Sequence, residues 1–352
     1  MQILVINSGS TSLKYKLFDI KKFREIKSGY IQNIGTGKIR NHVQALRIAL
    51  KEIGKLENIV AVGHRVVHGG EEFIQPTMAT KTVLGKLAEY NKLAPLHNPA
   101  NLMGIEACFK LLPKIPNIAV FDTAFHQTMP KRAYLYALPL RYYKKHNLRR
   151  FGFHGISHRY VAEEAAKKLK KPLNKLKIIT CHLGGGCSIC AIDQGKSIDT
   201  SMGFTPAEGL VMMTRSGDID PAIILFLQRK EKLTLKQVDH LINFESGMLG
   251  LCGEENMLKV LDQIKKGNRR ALLAFDIFVY RLQKYIGAYF AILGGLDVLV
   301  FTGAVGSGKP QTRNAVCRKL KHILKRAKVF AIPTNEELMI AKEVARKLEI
   351  KI

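Results

Sequence analysis

Alternating hydrophobic and polar positions flank a turn rich in serine and glycine at the start of the chain. This pattern spans Gln2 to Asp19, with the turn at Asn7 to Ser12, and it predicts a β-hairpin. A second pattern of this kind begins roughly half a chain length later, with apolar strands at residues 178–182 and 187–193 and a turn at Leu183 to Gly186. The recurrence predicts two structurally similar halves, each opening with a hairpin whose turn exposes backbone N–H groups that can bind phosphate.

Apolar residues at helical spacing fill much of the remaining chain. The predicted helices cover residues 98–112, 157–170, 221–229, 235–244 and 268–293, and an apolar strand is predicted at Val298 to Thr302. Strands interspersed with helices in this way indicate an α/β fold. Because the chain has 352 residues, about twice the usual length of a domain, we expect two domains.

The composition is that of a globular protein, with 47% hydrophobic and 24% charged residues, and it excludes a disordered, collagen-like or coiled-coil chain. No stretch of about 18 residues is apolar and free of charge, and no signal-peptide pattern follows Met1. We therefore expect a cytoplasmic protein with no membrane partner. Six cysteines in apolar settings are too few for a disulfide scaffold of this length, so reduced thiols are expected.

The net charge of +28 is the exceptional feature of the composition. Such a charge suits proteins that bind nucleic acid, anionic membranes or phosphate. The basic residues, however, are spread in short clusters such as Arg141 to Arg150 and Lys167 to Lys177, without a nucleic-acid-binding motif. We therefore interpret these clusters as solvated helix faces rather than as a nucleic-acid surface.

Two motifs resemble known sites but lack an essential part. Gly303 to Lys309 matches the start of a Walker A loop, yet Pro310 stands where that loop needs a hydroxyl group for Mg²⁺. Cys187 and Cys190 have no second cysteine pair of the kind that structural zinc sites use. The segment from Gly303 is therefore interpreted as a glycine-rich turn after a strand, which allows the backbone to approach a ligand closely.

Three segments place histidine or arginine beside glycine, at residues 63–70, 151–158 and 213–218. Together with the two phosphate-type turns, these segments predict an anionic substrate. Asp122, Glu336 and Glu337 are acidic candidates for holding Mg²⁺, although the two glutamates also suit a helix N-terminus.

Seven stretches of the chain resemble the acetate kinases, the acetokinase family within the actin, sugar-kinase and Hsp70 superfamily. These stretches are residues 3–16, GHRVVHGGE at 63–71, LAPLHNPAN at 93–101, FDTAFHQTMP at 121–130, RFGFHGISH at 150–158, residues 195–221 and IPTNEELMIA at 332–341. The resemblance implies an α/β protein of two actin-like, ribonuclease H-like domains with an active-site cleft between them. The implied domains are residues 1–148 plus 331–352, and residues 149–330 on the nucleotide side.

The resemblance also implies a reaction, namely reversible phosphoryl transfer between ATP and acetate to give acetyl phosphate and ADP. The implied enzyme is a homodimer that uses Mg²⁺, with Mn²⁺ as a substitute. Acetate is already ionised at neutral pH and needs no general base, so positive charge and alignment should dominate the site. The implied catalytic residues are Asp122, His154 and Arg215, of which His154 and Arg215 stabilise the transition state.

Further residues have implied binding roles. For acetate they are Arg65 and an apolar cup of Val67, Leu96, Phe153 and Pro206. For the metal, held directly or through water, they are Asn7, Asp122 and Glu336. For phosphate and nucleotide they are Asn7, Ser10, Ser12 and Lys14 on the first hairpin, His182, Leu183, Gly184, Gly185 and Gly186 on the second, and Asn256, Gly303, Ala304, Val305 and Gly306.

The chain departs from the family pattern on the nucleotide side. Gly185 stands where the family usually has asparagine, Ala304 replaces a glycine beside the adenine, and Asn256 and Leu258 replace two charged residues. These departures leave open pyrophosphate or another nucleotide as the donor, and also a non-catalytic sensor of acyl phosphates or nucleotides. The direction of the reaction and the preference between acetate and propionate stay open as well.

Overall fold

Two mixed β-sheets organise the computed structural model of the protein, which describes residues 1–350. The strands of the first sheet are β1 (Gln2–Ser8), β2 (Leu13–Asp19), β3 (Arg24–Ile31), β4 (Ile59–Val66), β5 (Thr77–Met78) and β6 (Asn117–Phe121). Those of the second sheet are β7 (Lys177–Leu183), β8 (Cys187–Asp193), β9 (Lys196–Thr200), β10 (Val298–Thr302) and β11 (Lys328–Ala331).

The two sheets share one strand topology. In the first sheet β1 is antiparallel to β2 and parallel to β4, and in the second β7 is antiparallel to β8 and parallel to β10. The order β3-β2-β1-β4-β6 therefore matches β9-β8-β7-β10-β11, with β5 added at one edge of the first sheet. Both predicted hairpins and the predicted likeness of the two halves are confirmed.

Helices occupy most of the remaining chain. They are α1 (His42–Ile53), α2 (Lys81–Glu89), α3 (Asn98–Leu111), α4 (Lys131–Tyr134), α5 (Leu140–His146), α6 (Gly155–Leu169), α7 (Pro221–Lys230), α8 (Leu235–His240), α9 (Gly247–Cys252), α10 (Met257–Lys265), α11 (Arg269–Leu293), α12 (Gly303–Gly306), α13 (Gln311–Arg318) and α14 (Glu336–Lys347). The helix predicted at 235–244 was too long, because α8 ends at His240 and a π-helix, Leu241–Glu245, follows it. No helix in residues 1–350 has both the length and the apolar character needed to span a bilayer.

Side chains of β1 alternate between two hydrophobic cores. Leu4 and Ile6 pack in a core with residues of α1 and α3, whereas Ile3 and Val5 pack in a second core with residues of α14. Because successive side chains of a strand point to opposite faces, helices on both sides of the sheet bury both sets. This double coverage explains why β1 is an almost continuous hydrophobic run.

The long helix α11 packs against the second sheet, where it contacts β7 and β8. Phe278, Leu282 and Ile286 are buried on one side of this helix, and their spacing of four residues places them on a single face. The side chain of Asn268 accepts a hydrogen bond from the backbone N–H of Ala271 at 3.0 Å and so caps the first turn. Gly294, in the left-handed conformation, ends the helix.

Residues of the chain group into two compact units. The first unit comprises Met1–Gln127, Gly155–Tyr160 and residues 335–350, and the second comprises Thr128–His154 and Val161–Thr334. Residues 128–148, which the sequence interpretation assigned to the first domain, group with the second unit because Thr128 Oγ1 donates to the Ser197 carbonyl at 2.8 Å and Tyr136 hydrogen-bonds to Glu208. Of the predicted C-terminal segment 331–352, residues 351 and 352 lie outside the described residues.

Two histidines lie in the interior of the first unit. His64, on β4, shares a hydrogen bond with Asn117 Oδ1 at 2.7 Å, and His68 follows the same strand. Burial lowers the pKa of His64 to about 4, against a smaller upward effect of Asn117, and burial lowers the pKa of His68 to about 3. Both imidazoles are therefore neutral in the folded protein at neutral pH.

We predict that acid weakens the fold through these histidines. An unfolded histidine has a pKa of about 6.5, so at lower pH the unfolded chain binds more protons than the folded chain does. The free energy of unfolding therefore decreases as the pH falls from about 6.5 to the lower pKa of the folded state. Each histidine accounts for a loss of about 2 kcal/mol between pH 8 and pH 5. Urea unfolding followed by circular dichroism should therefore show a smaller loss over this range for His64→Gln than for the wild type. Parallel pH profiles for the two proteins would contradict the prediction.

Candidate functional site

An arginine and two carboxylates form a cluster in the first unit. Arg65 lies on β4, Asp122 directly follows β6, and Glu336 is the first residue of α14. Because β4 and β6 are parallel and paired at Val66 and Phe121, Arg65 and Asp122 are brought to the same edge of the sheet. Arg65 Nη2 donates to Asp122 Oδ2 at 2.6 Å, and Arg65 Nε lies 3.8 Å from Glu336 Oε2.

Electrostatic coupling within this cluster is strong. Burial raises the pKa of the Asp122 carboxyl group, and the guanidinium of Arg65 opposes that rise because it favours the carboxylate. Burial disfavours the charge of Arg65, but Asp122 and Glu336 outweigh it and raise the pKa of the guanidinium, which stays charged. Two carboxylates against one guanidinium leave the cluster with excess negative charge.

Two buried asparagines on α3 hold the backbone beside this cluster, and the sequence interpretation missed them. Asn98 accepts from the backbone N–H of His68 at 2.9 Å and donates to the carbonyl of the same residue at 2.9 Å. Asn101 accepts from the N–H of Val67 at 3.0 Å and donates to the carbonyl of Ser8 at 2.7 Å. The available signal was the stretch LHNPAN, where two asparagines flank a proline that begins a helix.

The first hairpin carries four predicted phosphate-binding residues. Asn7, near the end of β1, pairs in register with Lys14 of β2, and Ser10 and Ser12 lie in the turn between the strands. Lys14 Nζ forms a salt bridge with Glu337 Oε1 at 2.6 Å, at the first turn of α14. This salt bridge ties the hairpin lysine to the helix that carries Glu336.

A second cluster, of cationic and imidazole groups, lies in the second unit. His154 stacks on His182 with ring centroids 4.2 Å apart, and His154 Nδ1 shares a hydrogen bond with Ser188 Oγ at 2.8 Å. A side chain built at Gly186 would put its Cβ 3.4 Å from Arg215 Nη1 and 3.5 Å from His154 Nε2. Gly186 therefore lies beside both groups, and the absence of a side chain there keeps the space between them open.

Arg215 has no carboxylate partner among residues 1–350. Its guanidinium approaches only neutral acceptors, the carbonyl of Pro206 at 3.4 Å and the sulfur of Met212 at 3.8 Å. Burial lowers the pKa of Arg215, although a guanidinium keeps its charge at neutral pH. A partly buried and unpaired cation is an anion-binding group, in contrast to the paired Arg65.

The turn of the second hairpin and the start of α12 are in contact. Leu183 ends β7, and Gly184 and Gly185 form the turn together with Gly186. Gly303 has a φ of +77°, and a Cβ on it would lie 2.4 Å from the Leu183 carbonyl oxygen. Only glycine fits at position 303, because both the left-handed backbone and the close approach of the turn exclude a side chain.

Two adjoining cavities lie beside this turn in the second unit. A cavity of about 220 Å³ is lined by Gly185, Asn256, Leu258, Ala304 and Val305, among others. A neighbouring cavity of about 510 Å³ shares Gly185 and Asn256 with the first and extends to Gly186 and Arg215. Together they lead from a mainly apolar pocket to the unpaired cation.

Asn256, which is predicted to bind the nucleotide, also stabilises a helix. Its side-chain oxygen accepts from the backbone N–H of Leu258 at 2.9 Å and so caps the first turn of α10. Leu258, which lines the same cavity, offers no polar group. Gly185 has nothing within 4 Å of a built Cβ, so the asparagine usual in the family would fit there.

The four residues predicted to form an apolar cup divide between the units. Val67 and Phe153 are buried, whereas Leu96 is 52% exposed and Pro206 is partly exposed. Val67 directly follows the last residue of β4 and does not continue the strand. Their joint role in binding acetate stays a prediction.

Nowhere in residues 1–350 do three or more His, Cys, Asp or Glu side chains group closely enough to hold a metal ion by themselves. All six cysteines are free thiols.

Comparison with known proteins identifies relatives along nearly the whole chain. The model of the Acetokinase family matches residues 2–325. The acetate kinase of Halothermothrix orenii is 48% identical over 397 aligned residues, which cover 99% of this chain and all of that protein. The aligned length exceeds the 352 residues of this chain, so the relative has segments without a counterpart here.

Solved structures agree with this result. The crystal structure of Porphyromonas gingivalis acetate kinase matches with a TM-score of 0.94 and 41% identity, covering 99% of each chain. The structure of a propionate kinase from Francisella tularensis matches with a TM-score of 0.91 and 39% identity, covering 97% of this chain and 98% of the other. A ROK family protein from Streptococcus pneumoniae, at 11% identity and a TM-score of 0.51 over 99% of both chains, shares the fold alone.

The predicted fold class of two actin-like α/β units is confirmed by these structural matches. The resemblance drawn from the seven stretches is confirmed as well. Since the family model matches residues 2–325 and close relatives cover almost the entire chain, the chain belongs to the acetokinase family.

Proposed function

We propose that this protein is an acetate kinase, which transfers the γ-phosphoryl group of ATP to acetate and also runs in reverse from acetyl phosphate and ADP. The observation that carries the proposal is Arg215, a partly buried guanidinium without a carboxylate partner, beside His154 and a glycine turn. Such a group is suited to a migrating phosphoryl group, whose negative charge has to be stabilised in place. Membership of the acetokinase family supports the same activity.

The residues of the second unit act on the phosphoryl group. Arg215 donates hydrogen bonds to its oxygens, and His154 donates a further one from Nε2, while Ser188 at Nδ1 holds the imidazole in place. Backbone N–H groups of Gly185 and Gly186 bind the phosphates of the donor, since the N–H of Gly184 donates to the carbonyl of Gly186 within the turn. Since the acetate carboxylate is already charged, no side chain has to remove a proton from it.

The residues of the first unit bind acetate and a divalent cation. Asp122 and Glu336, with Asn7, hold Mg²⁺ or Mn²⁺ directly or through water, and Arg65 binds the acetate carboxylate when this cation offsets the charge of the two carboxylates. The excess negative charge around Arg65 fits such an ion, since Mg²⁺ commonly binds one or two carboxylates and keeps several waters. When bound, the cation neutralises phosphate charge and aligns the donor.

A hydroxamate assay tests the activity. Purified protein is incubated with acetate, propionate or butyrate, crossed with ATP, GTP or pyrophosphate, and acyl phosphate is trapped by hydroxylamine. We expect the highest rate with acetate and ATP, and a measurable rate with propionate, since one methylene changes selectivity by only about 1 to 3 kcal/mol. A sensor without catalysis would form no hydroxamate with any pair.

Arg215→Ala should lower kcat by about 10³-fold or more, because the transition state loses its unpaired cation. Arg215→Lys should not restore the rate, since an ammonium group presents its donors differently from a planar guanidinium. Circular dichroism should show the native fold for both variants. Wild-type turnover in Arg215→Ala would contradict the assigned role.

ATP is the proposed donor, bound with weak selection for the base. The two adjoining cavities of the second unit could accept a base at Ala304 and phosphates at Arg215. Asn256 is occupied in capping α10 and Leu258 is apolar, so neither offers the base a charged partner, although Glu255, Lys309 and Thr312 also line the first cavity. Pyrophosphate remains the alternative donor, since it would need only the part of the site around Gly186 and Arg215.

Ala304→Gly should lower the KM for ATP by about fivefold, because the alanine methyl lines the pocket where the base is expected to approach. Steady-state kinetics with ATP and GTP provide the measurement. Ala133→Gly, in another four-residue helix, controls for loss of helix propensity. An unchanged KM in Ala304→Gly would show that the methyl group does not contact the donor.

A homodimer is the proposed assembly, with α7 in the interface. This helix has no buried residue, although Ile223, Leu225 and Phe226 are apolar, and Phe226 is 58% exposed. Exposed apolar faces of this kind mark association surfaces, and stable interfaces bury about 800 Å² on each partner.

Leu225→Glu combined with Phe226→Glu should convert the dimer to a monomer, because the charges would have to be buried in the interface. Light scattering coupled to gel filtration gives the mass. Ile74→Glu, at an exposed apolar residue of the first unit, should leave the mass unchanged. A monomeric wild type would refute the proposed assembly, and a dimeric double variant would exclude α7 from the interface.

A further inference from the structure

The twenty residues between β9 and α7 contain neither helix nor strand, yet they carry Pro206 and Arg215. Much of this segment is interior, and Met202, Leu210 and Met212 are almost completely buried. Irregular segments of this length are uncommon in compact domains and need specific contacts to hold one conformation. The question is which contacts hold the part that contains Pro206.

Glu208 lies two residues after Pro206 and receives two donors from another part of the chain. Arg150 Nη2 donates to Glu208 Oε1 at 2.5 Å, and the Tyr136 hydroxyl donates to Glu208 Oε2. The side chain of Arg150 is only 16% exposed, so its charge depends on this carboxylate. Burial disfavours the charge of Arg150, but Glu208 together with smaller effects of Tyr136, Tyr289 and Asp199 outweighs it and raises the pKa of the guanidinium.

The same two donors also bind the beginning of the irregular segment. Arg150 Nη1 donates to the carbonyls of Thr200 and Ser201, each at 2.9 Å, and the Tyr136 hydroxyl accepts from the backbone N–H of Phe204 at 2.9 Å. Glu208 thus connects the end of a short loop to its start through a shared pair of side chains.

A glycine makes room for this carboxylate. A Cβ at Gly203 would lie 1.6 Å from Glu208 Oε2 and 2.2 Å from the Tyr136 hydroxyl, so a side chain at that position would displace both groups. The backbone at Gly203 is itself held, since its carbonyl accepts from the N–H of Phe151 at 3.0 Å. The Glu208 carboxylate therefore lies against a backbone segment that is itself hydrogen-bonded.

The clamped loop presents a carbonyl to Arg215. Arg215 Nη1 approaches the Pro206 oxygen at 3.4 Å, and this is the only oxygen acceptor that the guanidinium has within residues 1–350. The other end of the segment is anchored separately, because Asp218 accepts from the N–H of Gly209 at 2.8 Å and from the Tyr285 hydroxyl at 2.7 Å. Movement of Glu208 would therefore displace Pro206 more than it displaces the backbone of Arg215.

We propose that Glu208 is a positioning residue for phosphoryl transfer: its carboxylate, clamped by Arg150 and Tyr136, fixes the Pro206 carbonyl that orients the Arg215 guanidinium. The inference rests on the proposed function, in which Arg215 stabilises the transition state. Glu208 itself touches neither the substrate nor the reacting atoms.

Glu208→Gln keeps the size of the side chain and an acceptor for Tyr136 but removes the charge that holds Arg150. We expect kcat to fall about 10- to 100-fold, because small misplacements of a catalytic group are costly, while the KM for ATP changes less than about threefold. Tyr136→Phe, which removes one of the two donors, should lower kcat by a smaller factor. Glu52→Gln is the matched control, since Glu52 accepts from the Tyr15 hydroxyl at 2.6 Å in the first unit and should tolerate the change without loss of kcat.

A double-mutant cycle separates positioning from general structural support. In an Arg215→Ala background no guanidinium is left to orient, so Glu208→Gln should change the residual kcat by less than about twofold. The same fold-loss in both backgrounds, or no loss in the wild-type background, would overturn the inference. If Glu208→Gln fails to fold, Tyr136→Phe in the same two backgrounds decides the matter by the same criterion. A wild type that forms no acetyl phosphate would refute the proposed function together with this inference, an outcome distinct from the others because it needs no variant.

Discussion

Keeping the guanidinium of Arg215 charged, partly buried and unpaired is the constraint on which the second unit depends. Removing a charge from water is costly unless other groups replace the lost hydration. Among the described residues 1–350, only the Pro206 carbonyl and the Met212 sulfur accept hydrogen bonds from it. Other interactions of the second unit have to offset this cost. They include the burial of strands β7 and β10, the packing of α11, and the hydrogen bonds of the Glu208 and Asp218 carboxylates.

The first unit resolves the same electrostatic problem in the opposite way. Arg65 is held by Asp122 and lies near Glu336, so its charge is neutralised and the surroundings are negative overall. The parallel pairing of β4 and β6 brings Arg65 and Asp122 together, and the N-terminus of α14 favours its two glutamates through the helix dipole. One unit thus offers a cation to anions, and the other offers carboxylates to a metal ion.

Local features of the fold could be predicted from the sequence, but contacts across the chain could not. The hairpins were predictable because strand alternation and a Gly/Ser turn are short-range signals, whereas the π-helix after α8 was not, since its spacing looks helical. Arg65 and Asp122 are 57 residues apart, and only the resemblance of their motifs to a family suggested that they act together. The roles of the predicted site residues in binding and catalysis stay predictions.

The residues that sequence reasoning missed share one physical property. Asn98, Asn101 and Glu208 hold backbone or charged groups that are distant along the chain, and Glu208 is 58 residues from Arg150. The stretch LHNPAN marks the start of a helix, but it does not show which backbone groups Asn98 and Asn101 bind, and no comparable signal surrounds Glu208. Their importance follows from tertiary contacts, which no periodicity in one sequence records.

The common strand order of the two sheets has an evolutionary consequence. An ancestral half-length gene that was duplicated and fused would leave this topology, β3-β2-β1-β4-β6 repeated as β9-β8-β7-β10-β11. With two copies in one polypeptide, a mutation in one would leave the other unchanged, so the two sheet edges could diverge. On that origin, the first hairpin, whose Lys14 is tied to Glu337 of α14, and the second hairpin with its glycine turn would descend from one inherited hairpin.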